Sequence, residues 1–290
     1  MTAVAAPALA SSLARVAAAV PWCSFRLGLP PGEVIVDAAD PVALGGGHWI
    51  RCADALTAPG FFTRWSQLVS TRMAETYSTV PPVTPAGYVM GWYVGMFGQL
   101  GGMLFHQARR VPSLSPHNLA FTVNPTHLRP VGVALLDGAF ACLPGDRDAA
   151  STQATPLPDA ATLAAVLRAE AAGHGGRFVE AYRHASRFGP HTLWGAVTDA
   201  LDRGVWHLAH ERNDDAAGAA DAALVLPGRV GPFTSGSTIH TLRGASGTVH
   251  WTRTRQSCCF YYKLPGVDTP CSTCPRLTDP QRARLLDADN

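Results

Sequence analysis

Four of the seven cysteines in this 290-residue chain lie within its last forty residues. They form an adjacent pair, Cys258-Cys259, and, after eleven intervening residues, the turn-like pair Cys271 and Cys274. Thiols this close in sequence can surround one metal centre with little help from the rest of the fold. A structural zinc site usually has two Cys-x2-Cys turns, and this segment has only one. The spacing therefore favours a two-iron cluster, in which both irons are held by thiolates, with zinc as the alternative.

A disulfide is the least favoured interpretation of this pattern. Adjacent cysteines form a bridge only through a strained ring, and the total number of cysteines is odd. The other three, Cys23, Cys52 and Cys142, lie in apolar surroundings. We predict that they are buried as small hydrophobic residues and take no part in the metal site.

The neighbours of the four cysteines are basic and aromatic. A cluster held by four thiolates bears net negative charge, which Arg253, Arg255, Lys263 and Arg276 are close enough in sequence to offset. Charge, hydrogen bonds and solvent exposure set the reduction potential of such a cluster. The aromatic residues 260–262 are predicted to exclude water on one side, to form an ordinary strand, or both.

The cysteine segment resembles a known family signature. Arg255 begins the run Arg-Gln-Ser-Cys-Cys-Phe-Tyr-Tyr, which is followed by Pro265-Gly266 and then by Cys271-x2-Cys274-Pro. This pattern resembles the C-terminal signature of the ferric-siderophore reductase family typified by FhuF. The chain differs in having eleven rather than ten residues between the two cysteine pairs, a change that a loop can absorb.

The resemblance implies a cofactor, a reaction and a location. It implies a [2Fe-2S] cluster on Cys258, Cys259, Cys271 and Cys274, which would both bind the cofactor and carry the electron. The implied substrate is ferric iron in a siderophore of the hydroxamate type. The implied location is the cytoplasm, free or associated with the inner face of the cell membrane. Because no flavin or nicotinamide fingerprint occurs in the chain, electrons would come from an external donor such as a ferredoxin or a flavin reductase.

The substrate face is predicted from proximity in sequence to the ligands. Its members would be the residues Trp251, Arg253, Arg255, Tyr261 and Lys263. The alternative for each is core packing. Two other functions remain open at this point: a siderophore-binding or ferredoxin-like electron-carrier protein without turnover, and a structural domain held together by zinc.

Composition excludes several other classes of protein. With 47% hydrophobic and 15% charged residues the chain is predicted to be globular. Its net charge is only +2 and no basic run occurs, so we expect no nucleic-acid partner. Residues 1–20 do not resemble a signal peptide, and Ser11 or Ser12 is predicted to cap an opening helix. Residues 88–105 are uncharged but rich in glycine, which favours a core helix over a membrane span.

The predicted fold class is α+β, mostly helical, with a small antiparallel sheet and a C-terminal cysteine-rich iron–sulfur segment. The sheet would comprise residues 119–123 and 131–136, continued by residues 139–143. The predicted domains are residues 1–145, a helical region with this strand pair; 159–250, a second helical region; and 251–290, the cluster-binding segment. Residues 143–158, rich in Pro, Asp, Ser and Thr, would be the linker.

Helices are predicted to follow this linker. Asp159 should cap a helix over residues 160–172 that ends at Gly173, with residues 173–176 as a loop. Separate helices are predicted at 177–188, 190–203 and 206–211. Residues 228–247 hold five glycines and are predicted to be a loop or a hairpin.

Overall fold

The computed structural model describes residues 8–245 and 247–288, and the predicted α+β class is confirmed. The helices of these residues are α1 (Ala8–Ala19), α2 (Cys52–Thr57), α3 (Phe61–Met73), α4 (Val83–Ala108), α5 (Ala160–Ser186), α6 (Pro190–His210), α7 (Asp215–Val225) and α8 (Asp279–Ala288). The strands are β1 (Ser24–Leu27), β2 (Trp49–Arg51), β3 (Arg110–Pro112), β4 (Leu119–Val123), β5 (Pro130–Leu135), β6 (Phe140–Cys142), β7 (Ala154–Pro156), β8 (Ile239–Arg243) and β9 (Val249–Arg253). Two short 3₁₀ turns span Pro41–Leu44 and Tyr261–Lys263.

Helices α4 and α6 pack against each other at the centre of the molecule, and glycines allow the close approach. A Cβ atom on Gly102 would lie 2.6 Å from the backbone nitrogen of Val205, and one on Gly204 would lie 2.6 Å from the backbone of Gln99. Of the glycines in residues 88–105, Gly98 and Gly102 therefore serve close contact with α6, and α4 is a core helix. Within the described ranges, the helices lack the combination of length and apolar character that crossing a membrane requires.

Helix α5 is longer than the sequence suggested. Asp159 caps it as predicted, because its carboxylate accepts a hydrogen bond of 2.7 Å from the backbone of Thr162. The predicted end at Gly173 and the predicted loop over 173–176 are wrong, since the helix continues to Ser186. A Cβ on Gly175 would lie 3.0 Å from the ring of Trp194, so glycine here serves contact with α6. Tertiary packing outweighs the cost of about 1 kcal/mol for a glycine inside a helix.

Two further boundaries were wrong. The helices predicted at 190–203 and 206–211 form the single helix α6. Ser11 and Ser12 lie inside α1, where the Ser11 hydroxyl donates back to the carbonyl of Ala8 at 3.0 Å, so neither caps the helix. Residues 1–7 of the predicted opening segment lie outside the described residues.

The strand pair predicted from sequence is present and belongs to a larger sheet. Strands β4 and β5 pair antiparallel, in a four-stranded sheet of order β1-β5-β4-β2 in which β1 runs parallel to β5. Strand β6 does not continue this sheet, contrary to the prediction for 139–143. It pairs with β3 and β7 in a separate sheet, because β1 and β4 already flank β5 on both sides. In the turn between β5 and β6, Asp137 accepts a hydrogen bond of 2.7 Å from the backbone of Ala139.

Residues 143–158 pack against the rest of the molecule. Strand β7 pairs parallel to β6, and the buried guanidinium of Arg110 binds Asp146 at 2.7 Å through Nε and Asp148 at 2.5 Å through Nη2. Buried apolar residues from Leu9 to Phe233, on both sides of this segment, form one continuous core. The division of the chain into domains stays a prediction.

Candidate metal centre

The first cysteine pair follows directly from the β8–β9 hairpin, which forms where a loop or hairpin was predicted. Phe260 has the left-handed conformation (φ 59°), which is uncommon for a bulky residue, and its ring stacks on Phe188 at 5.4 Å. Its N–H donates to the sulfur of Cys258 at 3.3 Å. The chain then enters the 3₁₀ turn Tyr261–Lys263, so the strand that was one interpretation of 260–262 does not form.

The second cysteine pair closes a tight turn, in which the N–H of Cys274 donates to the carbonyl of Cys271 at 2.9 Å. A backbone hydrogen bond of 3.1 Å from Arg255 to Thr273 joins this turn to the segment of the first pair. The fully buried Arg282 of α8 donates to the carbonyl of Ser272 and, at 3.2 Å, to that of Cys274. The two pairs are thus brought together by their own backbone and by the last helix.

The four thiols are free and interact electrostatically with one another. Cys274 is buried, Cys258 and Cys259 are half-buried, and Cys271 is exposed. A hydrogen bond between the thiols of Cys259 and Cys271 lowers the pKa of Cys259 and raises that of Cys271. Burial raises the pKa of Cys258. In the part of the chain that the structure describes, no three His, Cys, Asp or Glu side chains are grouped closely enough to hold a single metal ion.

Arg255 interacts electrostatically with three of these thiols and donates a hydrogen bond to that of Cys259. Burial tends to lower the pKa of Arg255, but the negative charge of Asp199 and then the electrostatic interactions with Cys259, Cys271 and Cys258 outweigh burial and raise it. The exposed Lys263 lies over the ring of Phe260 at 6.0 Å, and Arg276 lies over the ring of Tyr262 at 4.6 Å. Of the four cations predicted to offset the cluster's charge, Arg255 has the most direct contact with the ligands.

Asp199 of α6, which the sequence analysis missed, fixes the backbone just before the first cysteine pair. Its buried carboxylate accepts hydrogen bonds from the backbone of Gln256 at 2.7 Å and from the backbone and hydroxyl of Ser257 at 2.8 and 2.6 Å. Arg253 and Arg255 each approach it to 3.7 Å. The one hint in the sequence is that Asp199 and Asp202 stand one turn apart on a largely apolar helix.

Two glycines let the same segment lie directly on the helices. A Cβ atom on Gly195 of α6 would lie 2.9 Å from the carbonyl oxygen of Gln256. A Cβ atom on Gly87 of α4 would lie 2.9 Å from the carbonyl oxygen of Cys259. Any larger residue would displace the backbone of residues 256–259, so both helices shape the position of the first cysteine pair.

A cavity of about 530 Å³ reaches the first cysteine pair. Its wall includes Cys259 and combines aromatic residues with four arginines and one aspartate. Among its lining residues are Trp22, Tyr88, Trp92, Arg129, Asp199, Arg203, Arg253, Arg255 and Cys259. Of the five residues predicted as a substrate face, Arg253 and Arg255 line this cavity, whereas Trp251, Tyr261 and Lys263 lie outside its wall. Their roles stay predictions.

The segment that contains all four cysteines is similar to a known protein family. Residues 255–276 match the family model described as the FhuF 2Fe-2S C-terminal domain. The chain carries a FhuF-like 2Fe-2S segment. This confirms the resemblance drawn from the sequence and indicates a [2Fe-2S] cluster as the cofactor. No curated protein matches the chain.

The residues present fit this cofactor. Free thiols from both pairs are gathered by backbone hydrogen bonds, an N–H group donates to the sulfur of Cys258, and Arg255 supplies positive charge. Thiolate ligands, hydrogen bonds to sulfur and nearby cations are the features that hold and tune such clusters. Cys258, Cys259, Cys271 and Cys274 would hold the cluster, which when bound takes up and gives off one electron at a time.

Proposed function

We propose that this protein is a ferric-siderophore reductase of the cytoplasm. In the proposed reaction one electron passes to Fe(III) held by a siderophore, and Fe(II) leaves because the lower charge binds anionic oxygen ligands less strongly. The observation that carries the proposal is that Cys259, one of the predicted ligands, lies in the wall of a cavity large enough for a small molecule. A volume of about 530 Å³ falls within the usual range of ligand pockets.

The chain's own residues give the cavity two functions. The rings of Trp22, Tyr88 and Trp92 offer flat surfaces for an organic chelator. The arginines offer hydrogen-bond donors to the oxygen atoms that surround ferric iron. A complex bound here lies beside Cys259, so the electron has little distance to cross. Reduction of the protein itself would need an external donor such as a ferredoxin or a flavin reductase.

The proposal is tested by a single-turnover experiment on anaerobic, cluster-loaded protein. The protein is reduced with dithionite, freed of excess reductant, and mixed with a ferric siderophore in the presence of an Fe(II)-specific chelator. We expect the oxidised visible spectrum to return while about one Fe(II) appears per reduced cluster. The matching Ga(III) complex, which accepts no electron under these conditions, is the control and should leave the protein reduced.

A second candidate is an electron carrier without turnover of its own. Cys271 is exposed, and this exposure would suit contact with a redox partner protein. The same experiment separates the two functions. If hydroxamate, catecholate and carboxylate complexes all fail to reoxidise the reduced protein, while an oxidised ferredoxin or flavoprotein does so, the reductase proposal is wrong and the carrier is favoured.

A further inference from the structure

The arginines of the cavity are not equally compensated by negative charge. Arg253 and Arg255 share the carboxylate of Asp199, and Arg255 also faces the cysteine thiolates. Arg129 and Arg203 also line the cavity, but among the described residues their side chains make no hydrogen bond or ion pair. The Nε atom of Arg129 is buried without a partner. Two cations therefore remain to meet whatever occupies the cavity.

These two arginines converge on one aromatic ring. The guanidinium carbon of Arg129 lies 5.8 Å from the centre of the Trp22 ring, and that of Arg203 lies 5.9 Å from it. Both distances are within the range of cation–π contacts. We name Trp22, Arg129 and Arg203 the Arg-Trp-Arg site. Its members come from the segment between α1 and β1, from the β4–β5 connection and from α6.

The backbone around Arg129 is well fixed. Its carbonyl accepts a hydrogen bond of 2.9 Å from the backbone of Asn124, which closes the β4–β5 connection. The preceding carbonyl, of Leu128, accepts a bond of 2.9 Å from the buried indole of Trp65. Arg203 is held by α6, one turn after Asp199. The backbone of both arginines in the Arg-Trp-Arg site is therefore fixed, by hydrogen bonds at Arg129 and by α6 at Arg203.

The surroundings of Arg203 disfavour its positive charge when the cavity holds no anion. Arg203 lines the cavity, and desolvation by the surrounding protein, followed by repulsion from Arg253 and Arg255, lowers its pKa to about 10. A negative group in the cavity would relieve this repulsion. The planar guanidinium is also suited to two parallel hydrogen bonds with a carboxylate.

We propose that the Arg-Trp-Arg site binds a carboxylate of the substrate, so that the preferred ligand is a ferric chelate with net negative charge. This inference rests on the proposed function and adds to it the charge of the substrate. It concerns the charged periphery of the chelate rather than the groups that bind iron, so a hydroxamate that carries a carboxylate would satisfy it.

The test uses one chelator in three states of charge. Ga(III) complexes of a linear tris-hydroxamate are prepared with its terminal amine free, acetylated or succinylated, which gives a cationic, a neutral and an anionic complex of nearly the same shape. Binding to the oxidised, cluster-loaded protein is measured by calorimetry. We expect the anionic complex to bind about tenfold more tightly than the neutral one, because its carboxylate gains charge-assisted hydrogen bonds. The preference should shrink as salt is added.

Substitutions locate the effect. Arg129→Gln and Arg203→Gln should each reduce the preference for the anionic complex to about twofold or less while changing the affinity for the neutral complex little. Arg212→Gln removes the same charge from an exposed residue outside the cavity and should leave the preference intact. Equal affinity for the three complexes, no binding of any of them, or a preference unchanged in both cavity variants would overturn the inference.

The outcome is separable from that of the proposed function. Ga(III) complexes test binding alone, so charge-selective binding without reoxidation by the Fe(III) complexes would leave the Arg-Trp-Arg site standing and remove the reductase. If ferric complexes reoxidised the protein regardless of their charge and binding showed no charge preference, the reductase would stand and the proposed role of the Arg-Trp-Arg site would be wrong.

Discussion

The two cysteine pairs are held by opposite means. Just before the first pair, the backbone N–H groups of Gln256 and Ser257 donate hydrogen bonds to a buried anion, the carboxylate of Asp199. The second pair lies in a turn whose carbonyl groups are bound by a buried cation, Arg282. Asp199 belongs to a 21-residue helix of the core, whereas Arg282 belongs to the 10-residue helix α8 near the end of the chain. The first cysteine pair is therefore attached to the core through α6. The second pair is held in place by the short helix α8, which follows it in sequence.

One cysteine of each pair shows a further difference in surroundings. Cys259 lines the cavity, between residues contributed by α4 and α6. Cys271, in the turn held by α8, is exposed. A bound cluster would have one ligand beside the cavity and another at the surface, an arrangement that suits an electron entering from a partner and leaving to a small molecule. Variants of each half should therefore differ in what they damage.

The largest effect is expected from the ligands themselves, where the two halves should behave alike. Serine at Cys258, Cys259, Cys271 or Cys274 should abolish the cluster or leave it far below stoichiometric, because a hydroxyl replaces a thiolate ligand. Visible absorption, with iron and labile-sulfide analysis, measures the loss.

The matched control is Cys142→Ser, at a fully buried cysteine outside the centre, and it should keep the cluster spectrum. Cys52 serves as a second control, since burial raises its pKa to about 12 and keeps it a thiol. Loss of the cluster in Cys142→Ser together with its retention in Cys259→Ser would show that the ligand set is wrong.

The second largest effect is expected at Asp199. Asp199→Asn removes the charge that compensates Arg253 and Arg255 and weakens the bonds to residues 256–257. Breaking a buried ion pair by removing one partner costs about 3–5 kcal/mol. We expect the free energy of unfolding to fall by that order and the visible circular dichroism of the cluster to change.

The control for Asp199 lies one turn along the same helix. Asp202 is also buried, but it accepts hydrogen bonds from Ser237 and Thr238, before strand β8. Asp202→Asn should lower stability while leaving the cluster's circular dichroism unchanged. If the two variants altered that spectrum equally, Asp199 would have no specific part in positioning the first pair.

This contrast also marks the limits of sequence reasoning. The cysteine pattern allowed the ligands to be proposed, and they stay a prediction, because all four cysteines lie within a short segment whose spacing carries chemical meaning. The contact of Asp199 with Ser257 spans 58 residues, and an aspartate in a helix usually indicates a solvated face. The cavity draws its wall from Trp22 to Thr273, so only the tertiary fold assembles it.

The boundaries of helix α5 also show which features the sequence does not reveal. Asp159 was predicted correctly as a cap because its partner, Thr162, is three residues away. The predicted break at Gly173 failed because contact between α5 and α6 decides the conformation there, and periodicity within one helix does not reveal its partner. The cap at Asp159 depended on a contact between near neighbours in sequence, whereas the continuation of α5 past Gly173 depends on packing between helices.

A smaller effect is expected at Arg282, in the locally closed half. Arg282→Gln removes charge-assisted bonds to the carbonyls of Ser272 and Cys274, each worth about 1.5–3 kcal/mol. Because α8 is a short element at the edge, we expect local opening rather than global unfolding. The cluster should be lost to an iron chelator several-fold faster, with little change in the unfolding midpoint. Arg284→Gln, at an exposed position of the same helix, should leave the rate unchanged.

The smallest effect is expected at Gly195, where α6 supports the first pair. The Cβ of Gly195→Ala would lie 2.9 Å from the carbonyl oxygen and 3.2 Å from the carbonyl carbon of Gln256, so the backbone must shift. Overpacking typically lowers the free energy of unfolding by about 1–3 kcal/mol. The higher helix propensity of alanine relative to glycine raises it by about 1 kcal/mol. We therefore expect a net loss of about 1 kcal/mol in the free energy of unfolding, with a shift in the cluster's circular dichroism.

The matched control for Gly195 is Gly173, inside α5, where an added Cβ meets no atom within 4 Å. Gly173→Ala should gain up to about 1 kcal/mol from helix propensity alone and leave the cluster spectrum untouched. The two substitutions have the same chemistry and the same helical setting, so their difference reports the contact with Gln256. If Gly195→Ala were as stable as Gly173→Ala and spectroscopically unchanged, the first cysteine pair would not depend on close support from α6, and the contrast between the two halves would fail at that point.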